Sequence, residues 1–382
     1  GSSPVPGPPA PAIQGPPRGT ARTEAVTIPP GAACASSDCH VAIVAGPEIH
    51  PPVAQQQCDV CHTLTDAKGH RFELKSKEPG LCYQCHDQSR ETGSFVHGPV
   101  AQGFCSPCHN PHSAPYKPLL PAKGPELCFL CHSEMGSHLR QARVQHKAIT
   151  QSEKGCLSCH QPHRSEFKFQ LTQNVPKLCE GCHQQTHEVI ATATVSHAPV
   201  TTDKKCDNCH DPHGSDVEKI LNDTEMNLCL GCHNQPMETP NGPIIDMKSW
   251  IENNPEHHGP IREGLCTGCH LPHGSKNFRI LRHNFPREFY RPFSVETYAL
   301  CFECHESTIV LDRLTTTLTG FRNGDKNLHF VHVNNEKGRT CRACHEIHAG
   351  TKPKRMKDFV PFGDWKYPVN FSQTPDGGRC AP

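Results

Sequence analysis

Aromatic residues are scarce in this chain, at 6% of 382 residues, and the apolar share of 35% is itself inflated because 25 of those residues are cysteines. Without them roughly 28% remains, less than a globular domain ordinarily uses to bury itself. Two or three conventional cores, which the length would suggest, are therefore not expected. Thirty-seven prolines and 29 glycines interrupt long helices and strands. No apolar run is long enough to span a bilayer. Lys plus Arg equals Asp plus Glu, 38 each, so charge indicates neither nucleic acid nor an anionic membrane as a partner. The opening stretch, GSSPVPGPPAPAIQGPPRG, contains no basic segment followed by an apolar one, so no export signal is visible within the numbering. Its composition reads as a semi-rigid tether or tail covering residues 1–33.

What is abundant is cysteine and histidine, 25 and 29 residues. Both bind metals and cofactors, so something other than protein is expected to fill the interior. Eleven places read C-x-x-C-H: Cys58, Cys61, His62; Cys82, Cys85, His86; Cys105, Cys108, His109; Cys128, Cys131, His132; Cys156, Cys159, His160; Cys179, Cys182, His183; Cys206, Cys209, His210; Cys229, Cys232, His233; Cys266, Cys269, His270; Cys301, Cys304, His305; and Cys341, Cys344, His345. Shuffling this composition would give about 0.1 such matches. Two thiols at that spacing add across the two vinyl groups of haem, and the following His becomes the proximal iron ligand. Zinc ribbons and disulfides also use paired cysteines, but neither requires a His directly after the second Cys every time.

A twelfth stretch, CASSDCH, has four residues between Cys34 and Cys39 before His40. A disulfide beside a stray His is the competing reading. A haem site is favoured because the first repeat otherwise holds two spare histidines while every later repeat balances. Those spare residues are His50 and His70.

The other histidines are in register with the motifs. A His stands eight to ten residues before the next motif at His50, His97, His146, His197, His258 and His332, often in an HxPV-like turn. Another stands three residues beyond a proximal His at His112, His163, His213, His273 and His348, and His70 is the counterpart in the first repeat. Twelve motifs thus meet twelve candidate distal ligands. A His three residues past its own proximal ligand is too close to reach the opposite face of that haem, so it should serve a neighbour. His138, His187, His257, His283 and His329 hold no repeat slot and read as surface or supporting residues, with His257 and His329 able to exchange roles with His258 and His332. The five methionines hold no repeating slot either. All-His ligation implies low potentials and no open iron position.

Successive pairs start at Cys34, Cys82, Cys128, Cys179, Cys229 and Cys301. Residues 34–228 are read as haem-pair repeats one to four. Residues 229–350 hold repeats five and six, with two insertions that carry Trp250 and bulky side chains. Residues 351–382 form a motif-free tail ending at the unpaired Cys380. The expected fold is a multihaem cytochrome c, mostly loop with short helices and little strand, around an elongated haem array. One β-hairpin is expected within 314–333, turning at Asn323-Gly324.

The blocks CHNPHS…LL…ELCFLCH and CHDPHGS…IL…NLCLGCH resemble the doubled C-x-x-C-H multihaem cytochromes, over roughly residues 34 to 350. Among them are periplasmic decahaem cytochromes that plug outer-membrane porins in metal-reducing bacteria, and cytochromes that polymerise into extracellular filaments. The resemblance implies a wire of twelve covalent haems c carrying electrons across the periplasm, the outer membrane or the cell surface. It implies other redox proteins as partners, with a porin in the plug case and further copies of the chain in the filament case. This sequence differs from the decahaem pattern in its twelve sites and longer last third, and its closing TPDGGRCAP looks like a segment in which CAP opens one more motif. A passive conduit, not an enzyme, is the leading expectation. The rivals are a filament subunit and a terminal reductase of metal ions or oxyanions with one open iron. Oxidised haems with ionised propionates would bring the neutral polypeptide to about −12.

Overall fold

A computed structural model describes residues 34–35, 40–88, 93–202 and 204–380; the Pro- and Gly-rich segment 1–33 and Cys39 lie outside the described residues. As the proline and glycine content dictates, regular elements are short. The longest described helices, Ser133–Gln141 and Gln184–Thr192, have nine residues each. Most motifs sit on single helical turns such as Cys58–Val60, Cys82–Gln84 and Cys266–Gly268, where the backbone N–H of each proximal His or second Cys donates to the first Cys carbonyl. Such a turn puts both thiols and the imidazole on one side of the chain.

The chain divides into two compact units, one running to Leu178 and including Pro212–Ser215, the other holding Cys179–Asp211 and the rest. In the first, a two-residue antiparallel ladder recurs: Glu48–Ile49 with Ser113–Ala114, Phe95–Val96 with Arg164–Ser165, and Val144–Gln145 with Gly214–Ser215. Each ladder lies just before one repeat-slot His and just after another. The tight approach selects small residues: at Gly93 (φ +133°), a Cβ would come within 2.4 Å of the Ser165 backbone.

The second unit repeats the ladder at Glu256–His257 with Ala349–Gly350, and reduces it to a bridge at Val195 and Ser275. It also holds the chain's main apolar cluster. Tyr298, Val310 and Val333 are buried together, flanked by Phe293 and Phe302. Trp250, in the helix Met247–Asn253, donates from Nε1 to the Ala349 carbonyl at 3.2 Å. The insertions therefore pack within this unit.

The hairpin expected within 314–333 is shorter than its Thr, Leu, Phe and Val content suggested. Strands Arg322–Asn323 and Lys326–Asn327 pair around Gly324 (φ +57°), and residues Leu328–Val333 form a helix instead of a second strand. The reason is local: the Asn327 side chain accepts from the His329 N–H and starts the helix. The hairpin extends into a four-stranded sheet through Phe371–Thr374 and Gly377–Cys380. No described helix is long and apolar enough to cross a membrane.

Candidate functional site

The ladders dictate which histidines meet. Where Ile49 pairs with Ser113, the His50 N–H donates to the His112 carbonyl at 2.9 Å, and the His50 Nδ1 donates to the Pro111 carbonyl at 3.0 Å. The same arrangement joins His97 to His163 and Pro162, His146 to His213 and Pro212, and His258 to His348. His197 Nδ1 donates to the Pro272 carbonyl at 2.9 Å. A carbonyl can only accept, so Nδ1 carries the proton and Nε2 keeps its lone pair.

Four of these rings then face a proximal His. Ring centroids are 6.0 Å apart for His50 and His86, for His97 and His132, and for His258 and His305, and 6.3 Å for His197 and His233. The second His of each ladder faces backwards along the chain, to the second motif of the preceding pair: His112 to His62 at 6.1 Å, His163 to His109 at 6.0 Å, His213 to His160 at 6.3 Å, His273 to His210 at 6.1 Å and His348 to His270 at 6.2 Å. In the first repeat, the hairpin of His62–Asp66 and Arg71–Leu74 carries His70 in its turn and brings its Nε2 to 3.5 Å from that of His40. His146 belongs to the first unit and His183 to the second.

The proximal side has its own holding device. His109, His160, His210, His270 and His345 each donate from Nδ1 to a carbonyl nine residues on, at 2.9 to 3.0 Å, from Pro118, Phe169, Lys219, Arg279 and Lys354. In the last four the acceptor opens a pair of non-glycine residues with positive φ, as in Phe169 (62°) and Gln170 (53°). That conformation costs of order 1 kcal/mol per residue, and here it aims the carbonyl at the imidazole. These acceptors are backbone atoms, which motif spacing does not reveal. On the other side a retrospective signal is the Pro of CHxPH, whose carbonyl takes the Nδ1 proton of His50, His97, His146 and His197.

Burial first, then the charge of facing imidazoles, holds His97, His112, His233 and His273 below the ordinary imidazole range. Burial, then Arg355 and His305, pushes His258 to about 4, and burial, then His270, His258 and Arg279, does the same for His348. Such rings are neutral at pH 7 and available as ligands.

Three observations test whether haem fits. Two metal–imidazole bonds of about 2 Å, plus half a ring on each side, separate facing centroids by roughly 6 Å, and the observed pairs span 5.8 to 6.3 Å. The donors converge two at a time, with no group of three or more His, Cys, Asp or Glu forming a cage among the described residues. Two axial donors suit a macrocycle that supplies the other four, and do not suit a tetrahedral zinc. Finally, the Nε groups of Arg164, Arg279 and Arg355 are buried without a protein partner, and haem carries carboxylates that a guanidinium matches. The residues fit.

The cysteines whose side chains are described form no disulfide, and they alternate in their neighbours. First cysteines of successive motifs hydrogen-bond as pairs: Cys34 with Cys58, Cys128 with Cys156, Cys179 with Cys206, Cys229 with Cys266, and Cys301 with Cys341. Second cysteines lie close enough for their charges to interact at Cys108 and Cys131, Cys209 and Cys232, and Cys269 and Cys304. A motif therefore meets one neighbour through its first thiol and the next through its second.

The family described as doubled CXXCH motif matches residues 50–91, 97–137, 146–188, 197–238 and 258–309, more than half of the chain. Its unit begins at a repeat-slot His and takes in the next two motifs, so it starts one motif later than pairs counted from Cys34. Both pairings have a physical counterpart, the family's in the second-cysteine neighbours and the other in the first-cysteine contacts. No curated protein matches the chain.

Proposed function

The chain belongs to the doubled CXXCH family of multihaem c-type cytochromes, and on that premise we propose that it holds twelve covalent haems as one continuous electron conduit. Bound haem supplies one-electron chemistry at its iron; the chain's own residues attach, space and tune it.

The observation that carries this reading is the alternation of thiol neighbours. In the second unit it runs unbroken through six motifs, from the Cys179 pair with Cys206 to the Cys301 pair with Cys341. Since both thiols of a motif hold one edge of a macrocycle, the alternation supports edge-to-edge neighbours along the whole run. The facing imidazoles support two His ligands per iron, with low potentials and no position for a substrate. The proposed conduit lies outside the cytoplasm, in the periplasm, at the outer membrane or at the cell surface, exchanging electrons with other redox proteins, a reading supported by covalent attachment through so many thiols and by the resemblance to envelope-spanning cytochromes.

The test is the haem count of the purified protein by intact mass and by alkaline pyridine absorbance. Twelve per chain is expected, with a haem-bearing peptide that includes Cys34 and Cys39. Eleven, with that peptide unmodified, would remove the CASSDCH site, and saturable substrate reduction by a single carbon-monoxide-sensitive haem would replace the conduit with a reductase.

A further inference from the structure

His345 is the proximal residue of the last motif and is held like its counterparts, its Nδ1 donating to the Lys354 carbonyl at 2.9 Å. Yet among the described residues no imidazole faces it at the 6 Å common to the ten pairs above. Two candidates lie one turn apart on the helix Leu328–Val333. His332 occupies the repeat slot. Its Nδ1 donates to the Leu328 carbonyl, one turn back on its own helix, at 2.7 Å. At His50, His97, His146 and His197 that proton goes to the CHxPH Pro carbonyl beside a second site, so the contact that aims the ring is different here.

His329 stands apart from the other histidines outside the repeat. His138 Nε2 reaches the Gly214 carbonyl at 3.0 Å and His257 Nε2 the Ile251 carbonyl at 3.0 Å. His187 pairs with Glu180 at 3.3 Å and His283 with Glu303 at 3.5 Å. The His329 Nδ1 is buried with no hydrogen-bond partner, an arrangement that costs about 1–3 kcal/mol unless another group completes it. The ring is fixed by the Asn327 cap on its backbone and by the edge of Phe321 at 5.1 Å. Burial, then the charges of His345 and His332, depress its proton affinity, which places it within electrostatic reach of His345.

We propose that His329, and not the repeat-slot His332, is the second iron ligand at the His345 site. The irregularity follows from the helix: where His50, His97, His197 and His258 lead into a proline turn, Asn327 starts a helical turn that puts the buried imidazole three residues earlier. This rests on the reading that the Cys341 motif holds haem. Peptide mass at Cys341 and Cys344 tests that premise separately from the ligand.

The experiment uses the full haem-loaded protein and electron paramagnetic resonance of the oxidised state. In the unsubstituted protein all signals should be low-spin. His329→Ala should convert one haem per chain to high-spin and open it to carbon monoxide, with added imidazole restoring the low-spin signal. His332→Ala should leave every haem low-spin. A high-spin haem in the unsubstituted protein, one in His332→Ala alone, or none in either variant would each overturn the assignment. If His329→Ala lowers haem content, His329→Met serves instead. It should show a methionine–iron charge-transfer band from one haem, and absence of that band overturns the assignment equally.

Discussion

The Nδ1 of His50 lies 3.0 Å from the carbonyl oxygen of Pro111, sixty-one residues away, while the next residue, His112, turns its ring toward His62. One dipeptide thus serves two sites, by its backbone at one and its side chain at the other.

That division makes a prediction. His112→Ala removes the ring facing His62, but leaves the Pro111 carbonyl and the His112 carbonyl that orient His50. One haem, not two, should change from low-spin to high-spin, and total haem content should hold. Magnetic circular dichroism in the near infrared checks this, and the conversion of two haems would show that the sites are not separable.

Haem attachment was legible in the sequence because it depends on residues within six positions of each other, and the family match agrees. The partners of each imidazole were not, since facing rings lie 30 to 78 positions apart and are joined by ladders of two residues, too short to leave an alternating pattern. The hairpin near Gly324 was visible through its Asn-Gly turn. Its second half was misjudged because LHFVHV carries β-branched and aromatic residues, and the Asn327 cap outweighed that propensity. The tail after His348 lacks motifs but is not structureless: Phe359–Phe362 pairs with Trp365–Pro368.

Carboxylates brace neighbouring motifs. Glu225 accepts from the Thr267 N–H at 2.5 Å and from its hydroxyl at 2.9 Å, and Glu78 does the same for the N–H groups of Cys105 and Ser106 at 2.7 and 3.2 Å. Each sits four residues before one motif and holds the start of the next. Glu225→Gln replaces a charged acceptor with a neutral one and should cost about 1–2 kcal/mol, read as a lower urea midpoint. Losing a negative charge beside Cys229 and Cys266 should also raise the potentials of the nearest haems in a spectroelectrochemical titration. An unchanged midpoint and unchanged potentials would remove Glu225 from this role.

Acid should loosen the assembly over a defined window. His258 and His348 stay unprotonated in the folded chain down to about 4, whereas in the unfolded chain they take up protons from about 6.5. Between those values the unfolded state binds more protons, so stability falls as pH falls, by at most roughly 1.4 kcal/mol per pH unit for each group. Urea midpoints followed by the Soret band should decline from pH 6.5 to 4 and be flat from 7 to 8. A flat profile down to pH 4 would mean that both rings are kept unprotonated in the unfolded chain as well, as iron ligation in both states would do.

Tyr298 sets the opposite limit. Its side chain is fully buried, its hydroxyl has no partner, and burial, then the neighbouring thiols of Cys341 and Cys301, pushes its pKa up to about 12. The folded state therefore keeps a proton that the unfolded chain releases near pH 10. Above that value the unfolded state binds fewer protons, and stability is lost as pH rises toward 12. Tyr298→Phe keeps the ring that packs on Phe293 at 5.5 Å and Phe302 at 6.1 Å, and it deletes a hydroxyl whose uncompensated burial costs about 1–3 kcal/mol. The variant should match or exceed the parent in urea midpoint at pH 7 and should lose less than the parent between pH 10 and 12. A midpoint lowered by more than about 1 kcal/mol at pH 7 would mean that the hydroxyl has a partner in the haem-loaded protein.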